Sequence, residues 1–158
     1  MQLDLFPPLP EQFTVYAARH GKPEARPDLR YDIPPGPSLS PRGLEEAEEL
    51  GCFLREHAPD MRWMQVSPLE RTLGTAKVAG EILGLPYEVN HDLAEWREGE
   101  AEAVLRKRVE RAFSLAAERS AAEGAPVALV THGGPILAIL KILFDAHEPM
   151  KPIGALLG

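Results

Sequence analysis

With Cys52 as its only cysteine, the 158-residue chain can close no internal disulfide and has no thiolate cluster for zinc. Redox chemistry is excluded as its main theme. Excess positive charge is missing too: 17 Lys and Arg stand against 24 Asp and Glu, a formal net charge of −7, opposite to that of a typical nucleic-acid-binding domain. No nucleic-acid partner is expected. No apolar run approaches the roughly 20 residues that cross a bilayer, and the opening MQLDLFPPLP carries Asp4 and three prolines in place of a basic start. The expectation is a cytoplasmic protein without a membrane partner. No internal repeat and no histidine pair at H-x-H or H-E-x-x-H spacing is present, so no resident metal or cofactor is expected.

What is present is ordinary globular composition, 44% apolar and 26% charged, in a length that suits one domain. We read residues 1–158 as a single domain with an N-terminal extension over residues 1–12. A homodimer is compatible with this. Nine of the 16 prolines fall in the first 41 residues, and residues 21–40 form a proline-rich loop, long enough to serve as a lid over a site.

The remaining chain alternates between extended and helical patterns. Phe13 to Ala18 reads as a buried strand, Trp63 to Val66 as a second, Pro86 to Val89 as a third and Pro126 to Thr131 as a fourth. Between them, Ser40-Pro41 opens a helix carrying Leu44, Ala47, Leu50 and Leu54. Leu69 to Leu83 makes a second helix, closed by Gly84. Ala101 to Glu123 forms a third, with an apolar stripe through Val104, Leu105 and Val109, and Arg106, Lys107, Arg108 and Arg111 read as its solvated face. A last helix runs from Gly133 to about Phe144. Strands separated by helices imply parallel crossovers, hence an α/β fold: a three-layer α/β/α sandwich around a mostly parallel central sheet.

Ligands of such sheets bind beyond the carboxyl ends of the strands. The residues that follow the four strands are Arg19-His20-Gly21, Ser67 to Arg71, Glu95, and His132-Gly133-Gly134. Two histidines, two arginines and a carboxylate would thus converge from distant parts of the chain. Arginine forks suit a phosphoryl group, and a neutral imidazole is a competent nucleophile toward phosphorus. Ser67 reads as a turn and cap residue, His91 and His57 as surface histidines, and His147 likewise. Glu98 is a rival to Glu95.

Taken in order, ARHG at 18–21, LSPRGLEEAEELG at 39–51, VSPLERTLGTA at 66–76, LGLP at 83–86, LAEWREG at 93–99 and VTHGGPI at 130–136 closely resemble the histidine phosphatase superfamily, or phosphoglycerate-mutase-like family. The resemblance implies that His20 takes a phosphoryl group, that Arg19, Arg71 and His132 hold it, and that Glu95 is the proton donor. Gly133 and Lys22 complete the candidate substrate contacts. The implied activity is a metal-independent phosphomonoesterase acting on phosphorylated small molecules through a phosphohistidine. Two alternatives are a protein phosphohistidine phosphatase and a non-catalytic phosphate-binding module. Where many family members show Arg-His-Gly-Glu-Thr, this chain has Lys22-Pro23-Glu24. The short stretch between Glu95 and His132 leaves little room for the covering insertion of the mutases.

Overall fold

The computed structural model describes residues 8–146. His147, the stretch Ile153 to Leu157, whose apolar residues would suit a further strand, and the first seven residues of the N-terminal extension lie outside the described residues. Four strands and four helices alternate: β1 Val15–Arg19, α1 Pro41–His57, β2 Trp63–Val66, α2 Glu70–Leu83, β3 Glu88–Val89, α3 Glu102–Glu123, β4 Val127–Thr131 and α4 Gly133–Ala146. A single 3₁₀ turn, His91–Leu93, precedes α3. The sheet has the order β1-β4-β2-β3, and every pairing is parallel.

Alternation along β4 builds the three layers. Val127 and Leu129 point into one core with Trp63, Leu105, Val109 and Phe113, against α3 and α4. Ala128 and Val130 point into the other with Leu54, Met64, Val66 and Ala76, against α1 and α2. Both faces of β4 and β2 are therefore buried, which is why these strands are apolar except for Thr131 and Gln65, the latter paired with the Asn90 side chain at 2.8 Å.

Three expectations are corrected. The first strand begins at Val15 and is an edge among the described residues, so it is half-exposed; Phe13 instead packs edge-on against Phe113 at 5.8 Å. In α1 the inward face is Gly43, Ala47, Gly51 and Leu54, while Leu44 is exposed, because two glycines let the helix approach its neighbours more closely than a leucine stripe would. In α3, Val104 is exposed and Arg108 is buried, the reverse of the amphipathic reading. The helix signals themselves hold: the Ser40 side chain accepts from Gly43 N–H, and Gly84 and Gly124 close α2 and α3 at φ 64° and 60°.

Candidate active site

Parallel register decides which residues meet. Arg19 pairs with Thr131, so the next residues, His20 and His132, emerge side by side at the carboxyl edge with ring centroids 5.1 Å apart. Val66 pairs with Val130, which brings Ser67 to the same edge. Backbone hydrogen bonds from His20 N–H to Thr131 O at 3.1 Å and from Ser67 N–H to Val130 O at 3.0 Å fix both. Arg71 enters from the first turn of α2, and Glu95 follows the 3₁₀ turn, which Thr131 ties down through its hydroxyl to Leu93 O at 2.6 Å.

The hydrogen bonds assign the protons of His20. Its Nδ1 lies 2.7 Å from Gly21 O, which can only accept, so Nδ1 carries the proton. The lone pair is then on Nε2, where Arg71 Nε–H donates at 3.1 Å. Burial, opposed by the Gly21 bond and assisted by the charges of Arg71 and Arg19, lowers the His20 pKa to about 4. The ring is neutral at neutral pH, with its basic nitrogen facing the guanidinium.

His132 is wholly buried, and burial together with Arg71, His20, Arg108 and Arg19 lowers its pKa to about 2. Its Nε2 lies 2.7 Å from the hydroxyl of Ser67, which itself receives Leu69 N–H at 3.5 Å. Nδ1 faces Glu95 Oε2 at 3.8 Å, and a carboxylate oxygen there favours the tautomer that carries the proton on Nδ1, in which the Ser67 hydroxyl donates to Nε2. Among the described residues, two buried side-chain donors have no hydrogen-bond partner: His132 Nδ1 and Arg71 Nη1. Both belong to this cluster. Buried donors without partners are costly, of order 1–3 kcal/mol each, and a multiply charged oxyanion is the chemistry that satisfies them together.

Arg71 is itself buried, and burial holds it below the usual guanidinium range, partly offset by Glu95. Its Nη2 donates to Tyr31 O at 2.6 Å, so the proline-rich loop lies on the guanidinium. That loop is held at three further points: Pro23 bridges Leu39, Glu70 N–H donates to Pro35 O at 2.8 Å, and Asp32 Oδ2 accepts from Glu98 N–H at 2.9 Å. The last bond joins the loop to the segment carrying Glu95.

Glu95 is brought to the histidines and Glu98 is not: Glu95 Oε1 accepts from Trp96 N–H at 2.8 Å while Oε2 approaches His132, whereas Glu98 is exposed. Gly134 permits this, since a Cβ there would stand 2.6 Å from Glu95 Oε1. Gly133 is exposed at the first turn of α4, where helix N–H groups lack internal acceptors. The Arg19 side chain is exposed and makes no hydrogen bond or ion pair among the described residues, yet its charge bears on both histidines. The Lys22 side chain is exposed; its carbonyl is the structural part, accepting from Ser40 N–H at 2.9 Å and Ser40 Oγ at 2.8 Å. His91 and His57 are exposed, and His57 stacks on Phe53 at 4.2 Å.

Three members of the cluster escaped the sequence reading. Ser67 keeps the turn role its position predicts, accepting from Leu69 N–H at 3.5 Å, but the β2–β4 register also sets it 2.7 Å from His132, which no nearby histidine in the sequence signals. Thr75 receives Gly21 N–H on its hydroxyl at 3.0 Å and anchors the turn after His20. Arg108 lies among the charged residues that read as a solvated face, yet it is buried. Its signal was its spacing, three residues after Leu105 and four before Ala112, on the apolar stripe itself.

A family model described as the histidine phosphatase superfamily, branch 1, matches residues 15–104, more than half of the chain. Over 75 residues the chain is 37% identical to the human 6-phosphofructo-2-kinase/fructose-2,6-bisphosphatase 4, a match covering 48% of this chain and 15% of that protein. A solved Mycobacterium tuberculosis protein superimposes with a TM-score of 0.67 at 26% identity, covering 81% of this chain and 78% of that one. The mycobacterial glucosyl-3-phosphoglycerate phosphatase gives 0.68 at 20% identity over 85% and 80%, and a Bacillus anthracis phosphoglycerate mutase 0.70 at 17% over 85% and 81%; these last two speak to the fold alone.

Proposed function

The chain belongs to the histidine phosphatase superfamily, and from that premise we propose that it hydrolyses phosphate monoesters of small molecules through a phosphohistidine on His20. One observation carries the reading. A neutral imidazole presents its Nε2 lone pair among two buried donors, Arg71 Nη1 and His132 Nδ1, that an oxyanion would satisfy.

The chemistry runs in two displacements. As substrate binds, Arg71 Nε–H turns from His20 Nε2 to a phosphoryl oxygen; the freed Nε2 lone pair forms a bond to phosphorus as the ester P–O bond breaks, and the departing alkoxide takes its proton from Glu95. Arg71, Arg19, His132 Nδ1–H and the Gly133 N–H hold the equatorial oxygens, whose charge grows in the transition state. Water then gives a proton to the Glu95 carboxylate and attacks phosphorus. The N–P bond breaks and its electron pair returns to Nε2. The guanidinium and imidazole donors supply the charge stabilisation that a divalent cation supplies elsewhere, so turnover should survive EDTA. A cytoplasmic setting belongs to the same proposal.

The test combines a variant with a trap. His20→Ala should release no phosphate from p-nitrophenyl phosphate above the uncatalysed rate, and native protein quenched during turnover should carry an acid-labile, base-stable phosphoryl group. Hydrolysis at the native rate by the variant refutes the proposal. Binding of phosphate or vanadate without turnover across a panel of phosphorylated metabolites would instead identify a binding module. Preference for a phosphohistidine protein over every small ester would shift the substrate class.

A further inference from the structure

Arg108 uses all five of its N–H donors on the segment that carries Glu95. Nε donates to Glu100 Oε2 at 2.8 Å and Nη2 to Glu100 Oε1 at 2.8 Å, a bidentate pair with both side chains over nine-tenths buried. The remaining donors go to backbone: Nη1 to Asp92 O at 2.9 Å and Ala94 O at 2.6 Å, and Nη2 to Glu95 O at 2.9 Å. A guanidinium has five donors in a rigid plane, and a lysine could not replace them. The carbonyls it gathers leave the 3₁₀ turn without internal partners, so the bonds define the path of the chain from Asp92 to Glu95.

The other end of the segment is fixed with equal economy. Glu100 Oε1 also receives Arg97 N–H at 3.3 Å, and Glu100 O receives Trp96 Nε1–H at 2.8 Å. The turn 95–100 is thereby folded around one buried ion pair. Glu95 projects from it with Oε1 held by Trp96 N–H and the bare face of Gly134 behind.

We propose that Arg108 is the positioning residue of the acid, aiming the Glu95 carboxyl at the oxygen that leaves phosphorus. The proposal rests on the reading of Glu95 as proton donor and adds the device that holds it. Arg108 touches neither substrate nor the reacting atoms; it acts through the Glu95 backbone.

Leaving-group dependence separates positioning from mere structural support. p-Nitrophenolate departs without a proton, whereas the alkoxide of a primary alkyl phosphate needs one. General acid assistance contributes on the order of 10²–10⁴-fold. In Arg108→Lys, kcat/KM for the alkyl ester, which reports phosphoryl transfer to His20 and not the later hydrolysis common to both substrates, should therefore fall about 10²-fold, with kcat/KM for p-nitrophenyl phosphate changing only a few-fold. Glu95→Gln, assayed alongside, should show the same split more strongly. Equal losses on both esters in Arg108→Lys, or no loss on either, overturn the proposal when Glu95→Gln shows the split. If Glu95→Gln itself shows none, the reading of Glu95 as the acid fails instead. Should Arg108→Lys not fold, Glu100→Gln carries the same test, because it keeps the guanidinium and its carbonyl contacts while weakening the buried pair. It is expected to show a smaller split in the same direction, and equal loss on both esters there counts against Arg108.

Discussion

Gly21 and Gly43 lie backbone to backbone: a Cβ on Gly21 would collide with the Gly43 carbonyl, and one on Gly43 would collide with the Lys22 carbonyl. The turn after His20 is thereby seated on the first turn of α1, where Ser40 caps the helix and reaches Lys22 O. Gly21 in turn accepts the Nδ1 proton of His20. The two small residues connect a packing requirement to the protonation of the imidazole.

Gly43→Ala should accordingly destabilise the fold by about 1–3 kcal/mol, the usual cost of forcing an extra carbon into a packed contact. Because the displaced atoms carry Gly21, phosphatase activity should fall as well. Urea unfolding and steady-state kinetics on the same preparation test the link. A variant of native stability would mean that the contact relaxes freely.

Arg71→Lys should lose about 10²–10³-fold in kcat while retaining native circular dichroism, the cost typical of deleting a transition-state donor. A lysine ammonium lacks the planar fork whose Nε meets His20 Nε2 and whose Nη2 meets Tyr31 O while Nη1 stays free for the oxyanion. Unchanged turnover would place Arg71 outside the chemistry.

The pH dependence follows from His20. Its folded pKa, about 4, lies below the ordinary 6.5, so the unfolded chain takes up a proton that the folded ring refuses as pH falls below 6.5. The stability associated with the neutral ring is present above pH 6.5 and is lost between 6.5 and about 4; below that both states are protonated and no more is lost. Denaturant unfolding across this window should show a steeper decline for native protein than for His20→Asn. Ring ¹⁵N shifts should show the neutral Nδ1–H form of His20 persisting to about pH 4. Protonation near 6.5 would contradict the assignment.

Asp32 joins the proline-rich loop to the Glu95 segment through Glu98 N–H, and the Arg30 fork helps lower its pKa to about 2. Asp32→Ala should raise KM for small esters several-fold with a smaller effect on kcat, because loosening the loop disturbs access and the Tyr31 contact more than His20 itself. Hydrogen exchange of the Glu98 amide should accelerate in parallel. Slow exchange in the variant would show that the loop is held elsewhere.

Much of this architecture was legible from the residues. The uncharged, mostly apolar stretches over 63–66 and 127–131 became the central strands, and the glycines at 84 and 124 closed the helices predicted to end there. Such signals are local, set by periodicity and backbone preference. The amphipathic readings of α1 and α3 slipped where a neighbour overrode composition: glycine replaced leucine where two backbones approach, and arginine entered the apolar stripe because three carbonyls and a buried carboxylate awaited it.

The same division runs through the candidate site. Residue types alone placed His20, Arg71, Glu95 and His132 after strands and helices that open toward one edge, since parallel crossovers leave a chain little choice about where its loops emerge. That Arg71 meets His20 Nε2, that His132 lies between Ser67 and Glu95, and that Arg108 holds the acid segment were decided by tertiary structure. Arg71 reaches His20, Ser67 reaches His132 and Arg108 reaches Glu95 across 51, 65 and 13 positions, contacts that only the packed strands and helices bring about, whereas the His20 proton is held by its sequence neighbour, the Gly21 carbonyl.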